Sequence, residues 1–211
     1  MKLIKKVLIC LLGCIMLGGG MGCLIRVGIG SDSLSCFYEG LSIKTGLTAG
    51  TISLLMNLVY LIVVFILDKK KIGVSTFIFM IFGKYPIDFF YDHFFTPDSL
   101  IVAILLDIVI CFVIGVGCAV IIKADLGVTA YDSLTLSTSE VLKKNYVVIR
   151  YIYDGAFLIL GLLLGGTIGI ATVIAFIEIG PVFNWAKKLL IKDWLFNLFY
   201  ESKIEFVWTL K

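Results

Sequence analysis

Six stretches of about twenty mostly apolar residues leave this chain one kind of fold. They are Val7–Val27, Leu47–Leu67, Ile72–Phe90, Leu100–Ile122, Tyr146–Gly166 and Ile168–Leu190. Inside lipid every backbone N–H and C=O must find a partner within the protein, and runs of this length do so as helices. The remainder is too short to offset them: of 211 residues, 60% are hydrophobic and only 16% charged. A water-soluble domain carries about 25% charged residues. The expectation is an all-helical membrane protein with six transmembrane helices.

Charge orients the stack. Lys2, Lys5 and Lys6 precede the first span, Lys69–Lys71 follow the second, Lys143 and Lys144 precede the fifth, and Lys187, Lys188 and Lys192 close the sixth. After the third span come Asp88, Asp92, Asp98 and the lone histidine, His93. Basic clusters stay in the cytoplasm, so six crossings place both termini there. Lys2–Lys6 and Leu11-Leu-Gly-Cys14 look like a lipoprotein cleavage site, but the apolar run continues to Val27, which favours a retained helix. Residues 193–211 mix Trp194, Phe196, Phe199, Tyr200, Phe206 and Trp208 with charges and are expected as an interfacial cytoplasmic tail.

The halves share a register. Arg26-Val-Gly-Ile-Gly30 and Lys123-Ala-Asp-Leu-Gly127 each close a long apolar run, and beyond them Ser35 answers Asp132, Phe37 answers Leu134, Ser42 answers Ser139 and Asn57 answers Asp154. Residues 1–97 and 98–192 therefore read as two three-helix repeats. With three spans each, they enter the bilayer from opposite sides and are inverted. Each repeat contains an interrupted segment, 30–46 or 127–145, too short and polar to span, read as an interfacial helix or a re-entrant segment. Lys84-Tyr-Pro86 marks a kink in the third span, because proline removes a helix hydrogen bond.

Gly40-Leu-Ser-Ile-Lys-Thr-Gly-Leu-Thr-Ala-Gly-Thr51, Leu126-Gly-Val-Thr-Ala-Tyr-Asp-Ser-Leu134, Ile168-Gly-Ile-Ala-Thr172 and Gly180-Pro181 together resemble the YczE/YyaS/YitT family of bacterial membrane proteins. That family's proline before the aromatic-Asp pair is replaced by Ser33 and Ala130, and Ser35 stands where it often has Asp. The resemblance implies an integral protein of the bacterial inner membrane. It supplies no substrate.

Charged groups inside spans cost about 2.5–3.5 kcal/mol each on insertion scales, so they face a partner or a watery cavity. Asp107, Arg150, Asp154 and Glu178 are of this kind, with Asn57 as a neutral addition. Arg150 and Asp154, four apart, share a helix face; they either glue helices as an ion pair or line a pathway. Asn57, Asp154 and Glu178 fall near mid-bilayer, which predicts a common cavity. Asp132 lies among hydroxyls in the second interrupted segment, where it either caps a helix or meets a solute. Gly18, Gly22, Gly161, Gly165 and Gly169 are spaced for close helix packing. Arg26 and Lys123 are read as snorkelling to the headgroups.

Other classes fit poorly. Six cysteines lie mostly in apolar runs, without a Cys-x-x-Cys pair, and read as packing residues. No nucleophile–base signature is present, so no enzyme, metal or cofactor is expected; a basic stripe for nucleic acid is also missing. The expected partners are the lipid bilayer and a small solute or ion, and the chain is short enough for a homodimer. The leading reading is a small-solute or ion transporter with a midplane site between inverted repeats. The alternative is a non-transporting membrane scaffold or regulatory partner protein.

Overall fold

A computed structural model describes residues 3–195, with side chains through residue 190. Among the described residues it is all α-helical, with no strand. The helices are α1 Leu3–Val27, α2 Ser33–Thr45, α3 Ala49–Asp68, α4 Val74–Phe82, α5 Lys84–His93, α6 Leu100–Lys123, α7 Ala130–Val141, α8 Tyr146–Leu164 and α9 Ile170–Leu195, with a 3-10 turn at Lys69–Lys71. Five segments are long and apolar enough to cross a membrane: α1, α3 with its 3-10 turn, α6, α8, and α9 from Ile170 to Leu190. Many large apolar side chains, such as Phe65, Ile66, Ile101, Leu163 and Ile177, point outward, as expected where lipid is the solvent.

The apolar stretch expected as a single span over 72–90 is instead two short helices, α4 and α5, divided at Gly83. Pro86 has no N–H to give the carbonyl of Phe82, one turn earlier, so the helical ladder is interrupted there. The sequence expectation of six continuous spans is corrected at this point. Most of the aromatic tail expected over 193–211 lies outside the described residues.

Local signals explain the helix starts. Asp32 accepts from the Ser35 N–H, Thr48 from Thr51, Thr129 from Asp132 and Asn145 from Val147, each capping the next helix. The starts keep a common spacing. Leu3 and Leu100, Ser33 and Ala130, and Ala49 and Tyr146 are 97 residues apart; Val74 and Ile170 are 96 apart.

The centre is the crossing of α1 with α6, where Gly13 and Gly20 of α1 meet Ile121 and Ile114 of α6, so the two helices run antiparallel. Leu24, Ile87, Cys111 and Ile121 are buried around it. Five of the six cysteines are buried and Cys118 is half-buried, in accord with a packing role. Gly18 and Gly22 press on α5, Gly161 on α2, and Gly169 on the backbone of Ile29. Gly165 does something else: it ends α8 with a left-handed φ of 99°.

The stretches expected to be interfacial or re-entrant form α2 and α7, and both are packed inside the protein. α2 lies along α8, α7 along α3, with Ser35, Ser133, Thr135 and Ser137 fully covered. Their approach turns are matched. Gly30 and Gly127 adopt φ of 118° and 108°, which favour glycine, while Ala171 N–H donates to the Ile29 carbonyl at 3.2 Å and Ser75 N–H to the Leu126 carbonyl at 3.0 Å. The basic clusters meet at one end, where Lys6 pairs with Asp125 at 2.6 Å and Lys71 with Glu140. At the other end Arg26 donates to the Phe94 carbonyl at 3.2 Å, a protein contact rather than free snorkelling.

Candidate functional site

The walls of a cavity of about 880 Å³ come mainly from α8 and α9, with α1, α6 and the N-terminal ends of α2 and α7 behind them. That volume falls within the range of about 300–1,000 Å³ typical of small-molecule sites. Its lining is largely apolar, with Leu17, Ile114, Leu158, Phe176, Ile179 and Phe183 prominent. The polar groups converge from helix beginnings: Asp32 and Ser33 at α2, Thr129, Tyr131 and Asp132 at α7, and Asn145 and Tyr146 at α8. Asn57 from α3 and Arg150 and Asp154 from α8 complete the set.

Arg150 organises these groups. Its Nη1 donates to Asp132 Oδ1 at 2.6 Å and its Nε to Asp154 Oδ2 at 3.1 Å, and its guanidinium lies 4.5 Å from the centre of the Tyr131 ring. Asp154 Oδ1 accepts from Ser33 Oγ at 2.9 Å and Tyr131 Oη at 2.7 Å. Asp132 accepts from Thr129 Oγ1 at 2.8 Å and Tyr146 Oη at 3.3 Å. Both oxygens of each carboxylate are therefore engaged. Charge-assisted bonds of this kind are the strong ones, and they fix side chains from α2, α7 and α8 against one another.

Asp32 differs. Its Oδ2 accepts from the Ser35 N–H at 3.5 Å, whereas Oδ1 is buried and without a hydrogen-bond partner. Burial pushes the Asp32 carboxyl above its ordinary range, and the charge of Asp154 adds to that, although the bonds from Ser35 oppose it. Asn57, 2% exposed, holds itself by donating Nδ2 to the Ser53 carbonyl at 2.8 Å.

Four of the six residues singled out from sequence thus share one cavity: Asn57, Asp132, Arg150 and Asp154. Two do not line it. Glu178 is half-buried on α9 but lies off the face formed by Thr172, Ala175, Phe176, Ile179 and Phe183. Asp107 is fully buried on α6, with Oδ1 unpartnered and only the Cys111 thiol, at 3.9 Å, near Oδ2. Arg150 is both an ion-pair partner and a residue of the cavity lining. Sequence reasoning missed Asp32, Tyr131 and Tyr146. For Asp32 the signal was present, since Asp followed three residues later by Ser, ahead of an apolar run, is an N-cap pattern.

α3 and α5, by contrast, are closed on one another. Asp88 of α5 accepts from the Gly50 N–H at 2.8 Å and from Thr48 Oγ1 at 2.9 Å. At the matching positions 96–97 residues on stand Asn145, Val147 and Asn184, all of which line the open cavity.

The chain resembles the "Uncharacterized protein YyaS" of Bacillus subtilis (strain 168), 29% identical over 168 residues that cover 77% of this chain and 83% of the relative. It is also similar to an "Uncharacterized protein" of Haemophilus influenzae (strain ATCC 51907 / DSM 11121 / KW20 / Rd), 24% identical over 188 residues, 89% of this chain and 86% of the relative. No solved structure matches it. A family model matches residues 4–188, and the chain belongs to that family, the family of unknown function DUF6198.

Proposed function

We propose that this protein carries a small solute or ion across the bacterial inner membrane by alternating access between two inverted repeats. The observation that carries the reading is the contrast between the closed pair α3/α5 and the parted pair α8/α9. In the first half, Thr48 and Gly50 are bonded to Asp88; in the second, their counterparts Asn145, Val147 and Asn184 stand apart around a cavity. Paired helices that close one path while opening its inverted copy are the geometry alternating access requires.

Two facts support the inversion. The helix starts repeat at 97 or 96 residues, and α1 runs antiparallel to α6, its counterpart. A repeat related to its copy by a half-turn in the membrane plane has this arrangement. α4 and α5 together then act as one crossing, which gives six passes with both termini cytoplasmic. The open cavity faces the end where Lys6, Lys71 and Lys143 gather, which is the cytoplasmic end under the positive-inside rule. The cavity of about 880 Å³ and its charged lining favour transport over a scaffold, whose interior would be dry and fully paired. No part of this reading uses a catalytic group, and the protein is taken not to be an enzyme.

Proteoliposome uptake across a panel of small solutes, with and without a pH gradient, tests it. Accumulation of at least one solute, lost on Asp154→Asn, is expected. Absence of flux for every solute, or flux indifferent to that substitution, overturns transport in favour of the scaffold.

A further inference from the structure

We propose that the cavity binds a monovalent organic cation with an apolar body, held by Asp32 in exchange for a proton. The inference deepens the transport reading by naming the ligand class, and it rests on that reading for the cavity's role as a solute site.

Charge balance comes first. Among the described lining residues, Asp32, Asp132 and Asp154 face the single guanidinium of Arg150. Fully ionised, the set carries two negative charges. The N-termini of α2, α7 and α8 line the cavity and add up to about half a positive charge each. A net negative charge of less than about one remains. One proton or one monovalent cation cancels it, and a second cation would not be tolerated.

Geometry says which carboxyl takes it. Asp132 and Asp154 have both oxygens occupied by Arg150, Thr129, Tyr146, Ser33 and Tyr131. Asp32 alone keeps a buried oxygen with no donor. An unmet buried acceptor costs about 1–3 kcal/mol, which a proton on Asp32 or a cation beside it relieves. Burial of the same carboxyl, which favours its protonated form in the empty cavity, agrees with this.

The lining does not favour a bare metal ion: among the described residues no group of three His, Cys, Asp or Glu side chains is placed to hold one. Apolar and aromatic surface dominates instead, with Tyr146, Phe176 and Phe183 along the open side. Such rings attract organic cations through their faces and shelter an apolar body. A site of about 880 Å³ accommodates an ion of that size. No covalent bond forms or breaks other than O–H: as the cation arrives, the proton leaves Asp32 for bulk water, and the charge of the cavity is unchanged.

The test is saturation binding of radiolabelled tetraphenylphosphonium to the full-length protein in nanodiscs, with empty nanodiscs as blank and proton release followed in weak buffer. Saturable binding is expected, displaced by tetrapropylammonium but not by tetraphenylborate, the anion of the same shape, with protons released as the cation binds. Asp32→Asn is expected to weaken binding about tenfold or more and to abolish proton release. The competition and proton measurements need no variant, so they stand even if Asp32→Asn fails to fold. Displacement by tetraphenylborate, undiminished binding in Asp32→Asn, or no saturable binding overturns the inference. Saturable, proton-linked binding without flux overturns transport alone; uptake of an anionic or neutral solute without cation binding overturns the cation alone.

Discussion

The backbone N–H of Gly50 donates to the Asp88 carboxylate at 2.8 Å, closing α3 onto α5 at the end of the protein opposite the lysine clusters. The donor is a backbone N–H that any residue but proline offers; it is the close approach of α5 that leaves no room for a Cβ. A Cβ at Gly50 would lie 2.6 Å from Asp88 Oδ1 and closer still to the Lys84 carbonyl. Gly50→Ala is therefore expected to lower stability by about 1–3 kcal/mol, the usual cost of overpacking. Part of that strain is relieved by parting the helices, so a cysteine placed at Thr51, which leaves Asp88 in place, is expected to label faster from outside in this background than in the parent. A melting temperature and labelling rate equal to the parent's would remove the gate assigned to this pair.

Arg150 supports two carboxylates at once, and that makes its removal costly. Arg150→Met leaves Asp132 and Asp154 without their cation in a partly dehydrated site, and a loss of about 2–4 kcal/mol is expected. Adding Asp154→Asn should restore part of it. A double-mutant cycle in thermal unfolding is expected to give a coupling of about 0.5–3 kcal/mol; additive effects would mean that the pair seen at 3.1 Å contributes nothing.

Asp32 gives the protein a pH signature. Because burial raises this acid, the folded state holds its proton more tightly than the unfolded chain does. Its stabilisation is thus fully present below the ordinary carboxylate value of about 4 and is lost as pH rises through the higher folded-state value. Cation affinity should move the opposite way, rising over the same window as Asp32 ionises. Asp154, Asp132 and Arg150 face it across the cavity. Melting temperatures between pH 4 and neutrality, compared with Asp32→Asn, whose curve is expected to slope less, provide the check; an equally sloped Asp32→Asn curve would assign the effect elsewhere.

Asp107 and Glu178 separate cavity from core. Neither lines the cavity, so Asp107→Asn and Glu178→Gln are expected to leave tetraphenylphosphonium affinity within about twofold of the parent, where 1.4 kcal/mol would be tenfold. A loss comparable to that of Asp32→Asn would place one of them in the site.

The parts legible in the sequence were those fixed by solvent and by local chemistry. Apolar run length located the five described helices that are long and apolar enough to cross a membrane, and the pairing of Asp154 with Arg150 was legible from their spacing. The caps Thr48 and Asn145 stand at matching positions because each helix needs an acceptor for its first free N–H groups. What stayed hidden depends on which way a helix turns. α9 carries apolar residues on every side, so no periodic pattern told which face Glu178 would occupy. Pro86 marked a kink, but the division falls at Gly83, because the lost hydrogen bond belongs to the preceding turn. Asp32 was hidden by its own capping role, which accounts for one oxygen and says nothing of the other.

Cys118 offers the most direct measurement, since it lines the cavity and is the one cysteine not fully buried. In sealed vesicles of known orientation, with the other five cysteines replaced, a membrane-impermeant thiol reagent is expected to modify Cys118 from the cytoplasmic side alone, more slowly when tetraphenylphosphonium is present. Modification from neither side, or equally from both, would contradict a water-filled cavity opening at the cytoplasmic end.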